Sequence, residues 1–360
     1  MQLIVFVLML SVLILIHELG HFFFAKLFKM RVEEFGIGLP PRAKKLFTKK
    51  GTLFSLNWLP LGGFVKLYGE DMENAEQASS PEAFFNKPIW QRACVLLAGV
   101  IMNFALGVFV FGIVYTHIGI PTTTNKVIIV DVVKGSPADK AGIAVESQVE
   151  KIVSGKTTVA FSGIDDFVKQ VDSLKGKEIE ITLLDKNGTE KMVKVTPRLN
   201  PPEGQGALGV ALSNVEMKMY PIWQMPFRGM KVGLSEAWGW GKEIVGNLWL
   251  IIYNLFTGKG LPKDVSGPIG IYQVSKQVYA VGWVAVLQFM GILSINLAIL
   301  NVVPFPALDG GRVAFLAIEK IIGKRRKNKI EGYVNTAGMI FLIGLMLLVT
   351  VKDVIKLFNK

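Results

Sequence analysis

The chain has 360 residues, a mean hydropathy of +0.43 and 19 % charged residues, below the about 25 % usual for soluble domains. That pairing points away from an ordinary soluble protein and toward membrane spans. The formal net charge of +12 admits a nucleic acid or an anionic lipid surface as partner, and the single cysteine, Cys94, excludes an internal disulfide and a thiolate metal cluster.

Leu3 to Phe24 is almost wholly apolar, interrupted by His17, Glu18 and His21. At 1.5 Å per residue such a helix crosses a hydrocarbon core of roughly 30 Å. A cleaved signal peptide would need a basic leading region, and no Lys or Arg precedes Lys26. Leu53 to Leu67 is too short to span as a helix, and Pro60 with Gly62-Gly63 would break one, so it reads as a hairpin. A second span runs from about Cys94 to Ile118, with Ala98, Gly99, Ala105, Gly107 and Gly112 permitting close helix packing. Lys126 to Val133 then alternates as a strand, Ala138 to Gly142 reads as a short helix, and Ile164 to Leu174 has helical spacing. Glu178 to Leu184 and Glu190 to Thr196 read as strands joined by a hairpin at Asp185-Lys186-Asn187-Gly188. Pro201 to Gly209 is a Pro/Gly-rich linker. Pro226 to Phe256 is apolar but punctuated by Lys231, Glu236, Lys242 and Glu243, and rich in Trp, as interfacial helices are. A fifth span there falls short of the roughly 20 residues required. The third span is about Val281 to Val303 and the fourth about Ala337 to Val351. Four divisions follow: 1–120, 121–200, 201–280 and 281–360.

Basic residues from Lys26 to Arg92 crowd the connection between the first two spans. Arg312, Lys320, Lys324, Arg325, Arg326, Lys327 and Lys329 crowd the connection between the last two. Both connections are therefore expected to be cytoplasmic, with both termini and the segment between spans two and three outside. Because the basic excess is juxtamembrane, membrane lipids and no nucleic acid are the expected partners.

His17-Glu18-Leu19-Gly20-His21 is an H-E-x-x-H motif. On a helix, positions i and i+4 share a face, so both imidazoles can reach one Zn²⁺ while Glu18 takes a proton from the attacking water. Inside an apolar span His and Glu are costly and usually functional. Catalytic zinc needs a third protein ligand and an open position. With no cysteine ligand and no other suitable histidine, a carboxylate is the default, and His117 reads as an interfacial residue. Asp309 is the candidate. It follows Pro304 and Pro306, which interrupt a helix, and a cytoplasmic helix cap is its structural alternative. The motif begins about 14 residues, or roughly 21 Å, into span one. Asp309 follows span three, so both lie toward the cytoplasmic side. A silent membrane scaffold and a zinc transporter are rival readings. The intact set of four residues argues against the first, and the shortage of further intramembrane ligands against the second.

These residues, with Asn301-Val302-Val303-Pro304-Phe305-Pro306-Ala307-Leu308-Asp309-Gly310, resemble the site-2 protease family of intramembrane zinc metalloproteases, of the bacterial regulator-of-sigma-E type. Glu34-Phe35-Gly36-Ile37-Gly38 resembles the family's glycine motif, and Leu61-Gly62-Gly63-Phe64-Val65-Lys66 its membrane-re-entrant β-hairpin. Asn86-Lys87 through Asn103-Phe104 resembles its second span, and Val265-Ser266-Gly267-Pro268-Ile269-Gly270 the segment before its third. Gly135-Ser136-Pro137-Ala138 and Ala141-Gly142-Ile143 resemble a single PDZ domain, although Val145-Glu146-Ser147-Gln148 departs from its usual Pro-Gly-Asp. The resemblance implies a polytopic α-helical membrane protein with about four transmembrane helices, a re-entrant β-hairpin and an inserted α+β PDZ-like domain on the extracytoplasmic side of a bacterial inner (cytoplasmic) membrane. It implies His17, His21 and Asp309 as zinc ligands and Glu18 as base, with Asn301, Gly36, Gly38, Gly62 and Gly63 on the substrate side. It also implies single-span membrane protein substrates, either anti-sigma factors or signal-peptide remnants, and an upstream site-1-type protease.

Overall fold

The computed structural model describes residues 1–70, 80–155, 157–185, 188–257 and 267–358. It divides into two compact units, one formed by Met1–His117 with Pro226–Lys360 and the other by Ile118–Met225.

The first unit is built on helix α1 (Gln2–Leu27). Strands β1 (Val32–Lys49) and β2 (Thr52–Leu67) follow as an antiparallel pair. Their turn is Lys50-Gly51, with φ of 48° and 75°, and two successive positive φ values are what the tightest hairpin turns require. Both strands bend, so that Glu34–Ile37 is paired with Gly63–Lys66 on one side and with Leu53–Leu56 on the other. The hairpin lies along α1. The Ser11 hydroxyl donates to the Pro60 carbonyl at 3.0 Å, and Gly62, at φ 70°, sits where a Cβ would come within 2.8 Å of Ile14.

Helix α2 (Ile89–Ile118) crosses α1 at small residues. A Cβ on Gly20 would stand 2.5 Å from the Ala98 carbonyl oxygen, so this crossing exists only because Gly20 has none. After the second unit the chain returns through α5 (Met225–Phe256), one continuous helix of 32 residues where the sequence suggests separate interfacial helices. Helix α6 (Pro268–Val281) was not expected. Gly282, at φ 131°, separates it from α7 (Trp283–Val302). Helices α8 (Asp309–Ile322) and α9 (Lys324–Phe358) complete this unit. Among the described residues four helices are long and apolar enough to cross a membrane: α1, α2, α7 and the Ile330–Ile355 part of α9. Helix α5 is not among them. Val265 and Ser266 lie outside the described residues, as do Lys186 and Asn187 of the expected hairpin turn.

The second unit is a mixed α/β module with strands β3 (Ile120–Val132), β4 (Gln148–Ser154), β5 (Thr157–Val159), β6 (Ile179–Leu184), β7 (Glu190–Val195) and β8 (Val210–Lys218). The sheet order is β7-β6-β4-β3-β8, with β5 on β4. Two helices accompany it, α3 (Pro137–Lys140) and α4 (Ile164–Ser173). Ser136 caps α3 by accepting from the Asp139 amide, and Pro137 opens it. Alternate residues of β3, β6 and β7, with Val149 and Ile152 of β4, pack with Phe167 and Val171 of α4 into one core. The sequence boundary at residue 200 misses β8. That strand lies past the presumed linker, pairs with β3 from Ile120↔Lys218 to Val132↔Val210, and carries the unit on to Met225.

Candidate metal centre

Helical spacing puts His17 and His21 on one face of α1, buried at 7 % and 9 % exposure. Asp309 reaches them from the start of α8. Its Oδ2 lies 3.0 Å from His17 Nε2 and 3.4 Å from His21 Nε2, and the two Nε2 atoms are 3.1 Å apart. Ligand atoms held about 2.0–2.2 Å from a tetrahedral zinc stand roughly 3.3 Å from one another. The three spacings match that requirement, so this donor set fits a zinc ion. Glu18 belongs to the same cluster, for one ligand atom each of His17, Glu18 and His21 lie within 4.8 Å of one another. The Val65 backbone offers the Glu18 carboxylate a hydrogen bond.

Several elements hold these groups in place. The His21 Nδ1–H donates to the Val95 carbonyl at 2.8 Å, which leaves Nε2 free as a ligand. Gly99 gives the rings their room, because a Cβ there would lie 2.6 Å from His17 Cε1 and 2.7 Å from His21 Nε2. Asp309 is set by a compact loop. Helix α7 ends at Val302, and Val303 is extended ahead of Pro304, as a residue before proline prefers. The Ala307 amide donates to Asn335 at 3.1 Å. Gly310 and Gly311 then let α8 start beneath the loop, since Cβ atoms there would lie 2.4 Å from the Val302 oxygen and 2.2 Å from the Phe305 oxygen. A cavity of about 210 Å³ opens onto the four residues, and Phe64, Val65, Glu70 and Arg312 also line it.

Peptidase family M50 matches residues 5–345. The chain belongs to peptidase family M50. A protein of Clostridium perfringens named for zinc metalloprotease activity is 36 % identical over 352 residues, covering 96 % of each chain. A similarly named protein of Clostridium acetobutylicum is 33 % identical over 358 residues, covering 99 % of this chain and 98 % of its own. The zinc metalloprotease RasP of Geobacillus kaustophilus is 29 % identical over 432 residues, covering 98 % of this chain and 97 % of its own. The site-2 protease family expected from the motifs is thus the right one. The chain is a zinc metalloprotease, and its apolar helices make it a membrane protein.

The structure brings His17, Glu18, His21 and Asp309 together from opposite ends of the chain. Asn301 sits in the last turn of α7, half-buried, and does not line the cavity. Gly36, Gly38, Gly62 and Gly63 do not line it either. They shape the sheet whose Phe64 and Val65 do. The two glycine motifs, read separately in the sequence, are neighbours, with Gly36 opposite Phe64 and Ile37 opposite Gly63. Val95, Asn103, Glu70 and Arg312 have no role at the metal centre in the sequence analysis. Asn103 and Arg312 carried a usable signal, one as a polar residue within an apolar span and the other one helical turn after Asp309.

Proposed function

We propose that this M50 protease cuts the transmembrane segments of single-span membrane proteins, with His17, His21 and Asp309 holding zinc and Glu18 serving as general base. One observation carries the reading: a His-Glu-His cluster with both histidines buried sits in an apolar helix of 26 residues, with the Asp309 carboxylate 3.0 Å from His17. Zinc, when bound, supplies Lewis-acid chemistry, polarising a carbonyl and making water a nucleophile near neutral pH. Glu18 takes the proton of the attacking water and returns it to the leaving amide nitrogen.

A substrate helix hides its scissile carbonyls in its own hydrogen bonds and must be unwound first. The β1–β2 hairpin supports this step. It lies along α1 beside the cavity, and its bend exposes Leu39, Trp58 and Leu59, with Trp58 71 % exposed. Such a surface suits a hairpin that re-enters the bilayer and pairs with an unwound strand. Asn301 is assigned to the substrate backbone on the motif alone. The second unit is PDZ-like and extracytoplasmic in this reading, and the enzyme resides in a bacterial cytoplasmic membrane. Anti-sigma factors or signal-peptide remnants are the substrate class, the former after a site-1-type cut.

Glu18→Gln tests the assignment. It should abolish cleavage while zinc content stays near wild type, and comparing membrane proteomes with and without it should reveal accumulated single-span fragments. Zinc lost together with activity would give Glu18 a ligand's role instead.

A further inference from the structure

Asn103 stands one turn beyond Gly99 on α2 and is fully buried at 0 % exposure. Its side-chain nitrogen lies 3.2 Å from Nδ1 of His17. Its side-chain oxygen meets no hydrogen-bond donor among the described residues. Its backbone carbonyl accepts from the Ser294 hydroxyl at 2.7 Å, which ties α7 to α2 at the same level. The amide is therefore anchored beside the ring of His17, with an acceptor to spare.

The chemistry of the imidazole says what that acceptor is for. A neutral histidine that offers its Nε2 lone pair to a cation keeps its proton on Nδ1, and a buried N–H without an acceptor is costly. For His21 the Val95 carbonyl meets that need. For His17 the group at Nδ1 is Asn103. The two ends of an asparagine amide have nearly the same shape. Turned about, its oxygen accepts the Nδ1 proton, which satisfies both the donor and the lone acceptor. In the other orientation its nitrogen donates to a bare Nδ1 while Nε2–H faces Asp309, 3.0 Å away.

We propose that Asn103 is the positioning residue of the His17 ligand, its amide oxygen fixing the ring's tautomer and tilt when zinc is bound and its amide nitrogen supporting the ring when zinc is absent. This rests on the reading of His17 as a zinc ligand. The test is zinc affinity of the full chain in detergent, measured by competition with a chelator of known strength. Asn103→Leu, similar in shape but without an acceptor, should weaken zinc by about 10–100-fold, the usual effect of losing such a partner. Asn103→Asp keeps the acceptor and should bind zinc at least as tightly as wild type. Ser294→Ala removes only the interhelical hydroxyl and should leave affinity within a few-fold. Wild-type affinity in Asn103→Leu overturns the proposal. So does a loss in Asn103→Asp, which decides the matter should the leucine variant fail to fold. An equal loss in Ser294→Ala assigns the effect to helix packing and overturns it as well. Zinc content unchanged in His17→Phe would remove the ligand reading itself. Zinc lost in His17→Phe but fully retained in Asn103→Leu would remove this inference alone.

Discussion

Arg92, in the first turn of α2, holds Glu319 of α8 with two hydrogen bonds of 2.8 and 2.6 Å, and both side chains are buried. Glu319 lies ten residues beyond Asp309 on one helix, so this pair sets the axis on which the third candidate ligand rides. Breaking a buried pair by removing one partner leaves an uncompensated charge and costs about 3–5 kcal/mol. Arg92→Ala is expected to destabilise by that order and to lower zinc occupancy, read from denaturation and metal analysis of the purified protein. An unchanged melting temperature would show the pair to be dispensable.

The same pair makes stability depend on acid. Burial works against the Glu319 carboxylate, but the Arg92 bonds outweigh it and hold the carboxyl below its ordinary range. A group whose folded pKa is depressed contributes stability above its unfolded pKa, about 4.3 for glutamate, and loses it as pH falls through the folded value. Wild type should therefore exceed Glu319→Gln in stability at pH 7, and the gap should narrow below about pH 4.3. A gap that widens on acidification would reverse the sign of the linkage.

Gly99→Ala should strike the metal centre before it strikes the fold. The added carbon must displace one of two rings, and both rings are held from behind by Val95 and Asn103. Misplacing a reacting group by about 1 Å costs on the order of 100-fold in rate. The expected result is a loss of that size in cleavage together with weaker zinc binding. Gly107→Ala is the control, since its carbon meets the flexible end of Ile295 at 2.5 Å, away from the site. Equal loss of zinc in both variants would make the effect one of general packing.

How much of this was legible beforehand depends on the range of each signal. The H-E-x-x-H spacing fixes its own geometry within one helical turn, and the prolines before Asp309 mark the end of α7, so those elements could be read locally. What brings Asp309 to His17 is a contact 292 residues apart in sequence, set by Gly99, Gly310 and Gly311 through close backbone approach, and no local pattern encodes it. Strand β8 was missed for a related reason. Val210–Lys218 is held by pairing with β3, while the Pro/Gly stretch before it looks like the end of a domain. The bend in β1 and β2 that joins two glycine motifs into one sheet is likewise a matter of register between distant residues.

The proposed orientation rests on the basic connections. Lys49 lies in the hairpin between α1 and α2, and Lys134 in the second unit, and both are exposed. With Cys94 replaced, a cysteine at position 134 should react with a membrane-impermeant thiol reagent in intact cells, and one at position 49 only after lysis. The opposite pattern would invert the proposed topology.

The second unit can be tested as a separable filter. Ile120 pairs with Lys218 and Pro121 with Met217, so the points where the chain joins and leaves this sheet are side by side. A module with adjacent ends and its own core is the kind that inserts and excises with little disturbance. Ile118–Met225 expressed alone should unfold cooperatively, with a stability of about 5–15 kcal/mol. The full chain with 120–218 replaced by a short glycine linker should keep its zinc. If the proposed orientation holds, this unit is expected to exclude substrates that retain a bulky outer domain, by steric clash. Steric exclusion needs the unit's bulk and no particular groove residue. The shortened enzyme should therefore cut substrates with intact outer domains. Val168→Lys, at an exposed position lining the cavity of about 180 Å³ between α4 and β8, should change that selectivity far less. A shortened enzyme that holds zinc and cuts truncated substrates, yet still refuses full-length ones, would place the filter in the helices instead.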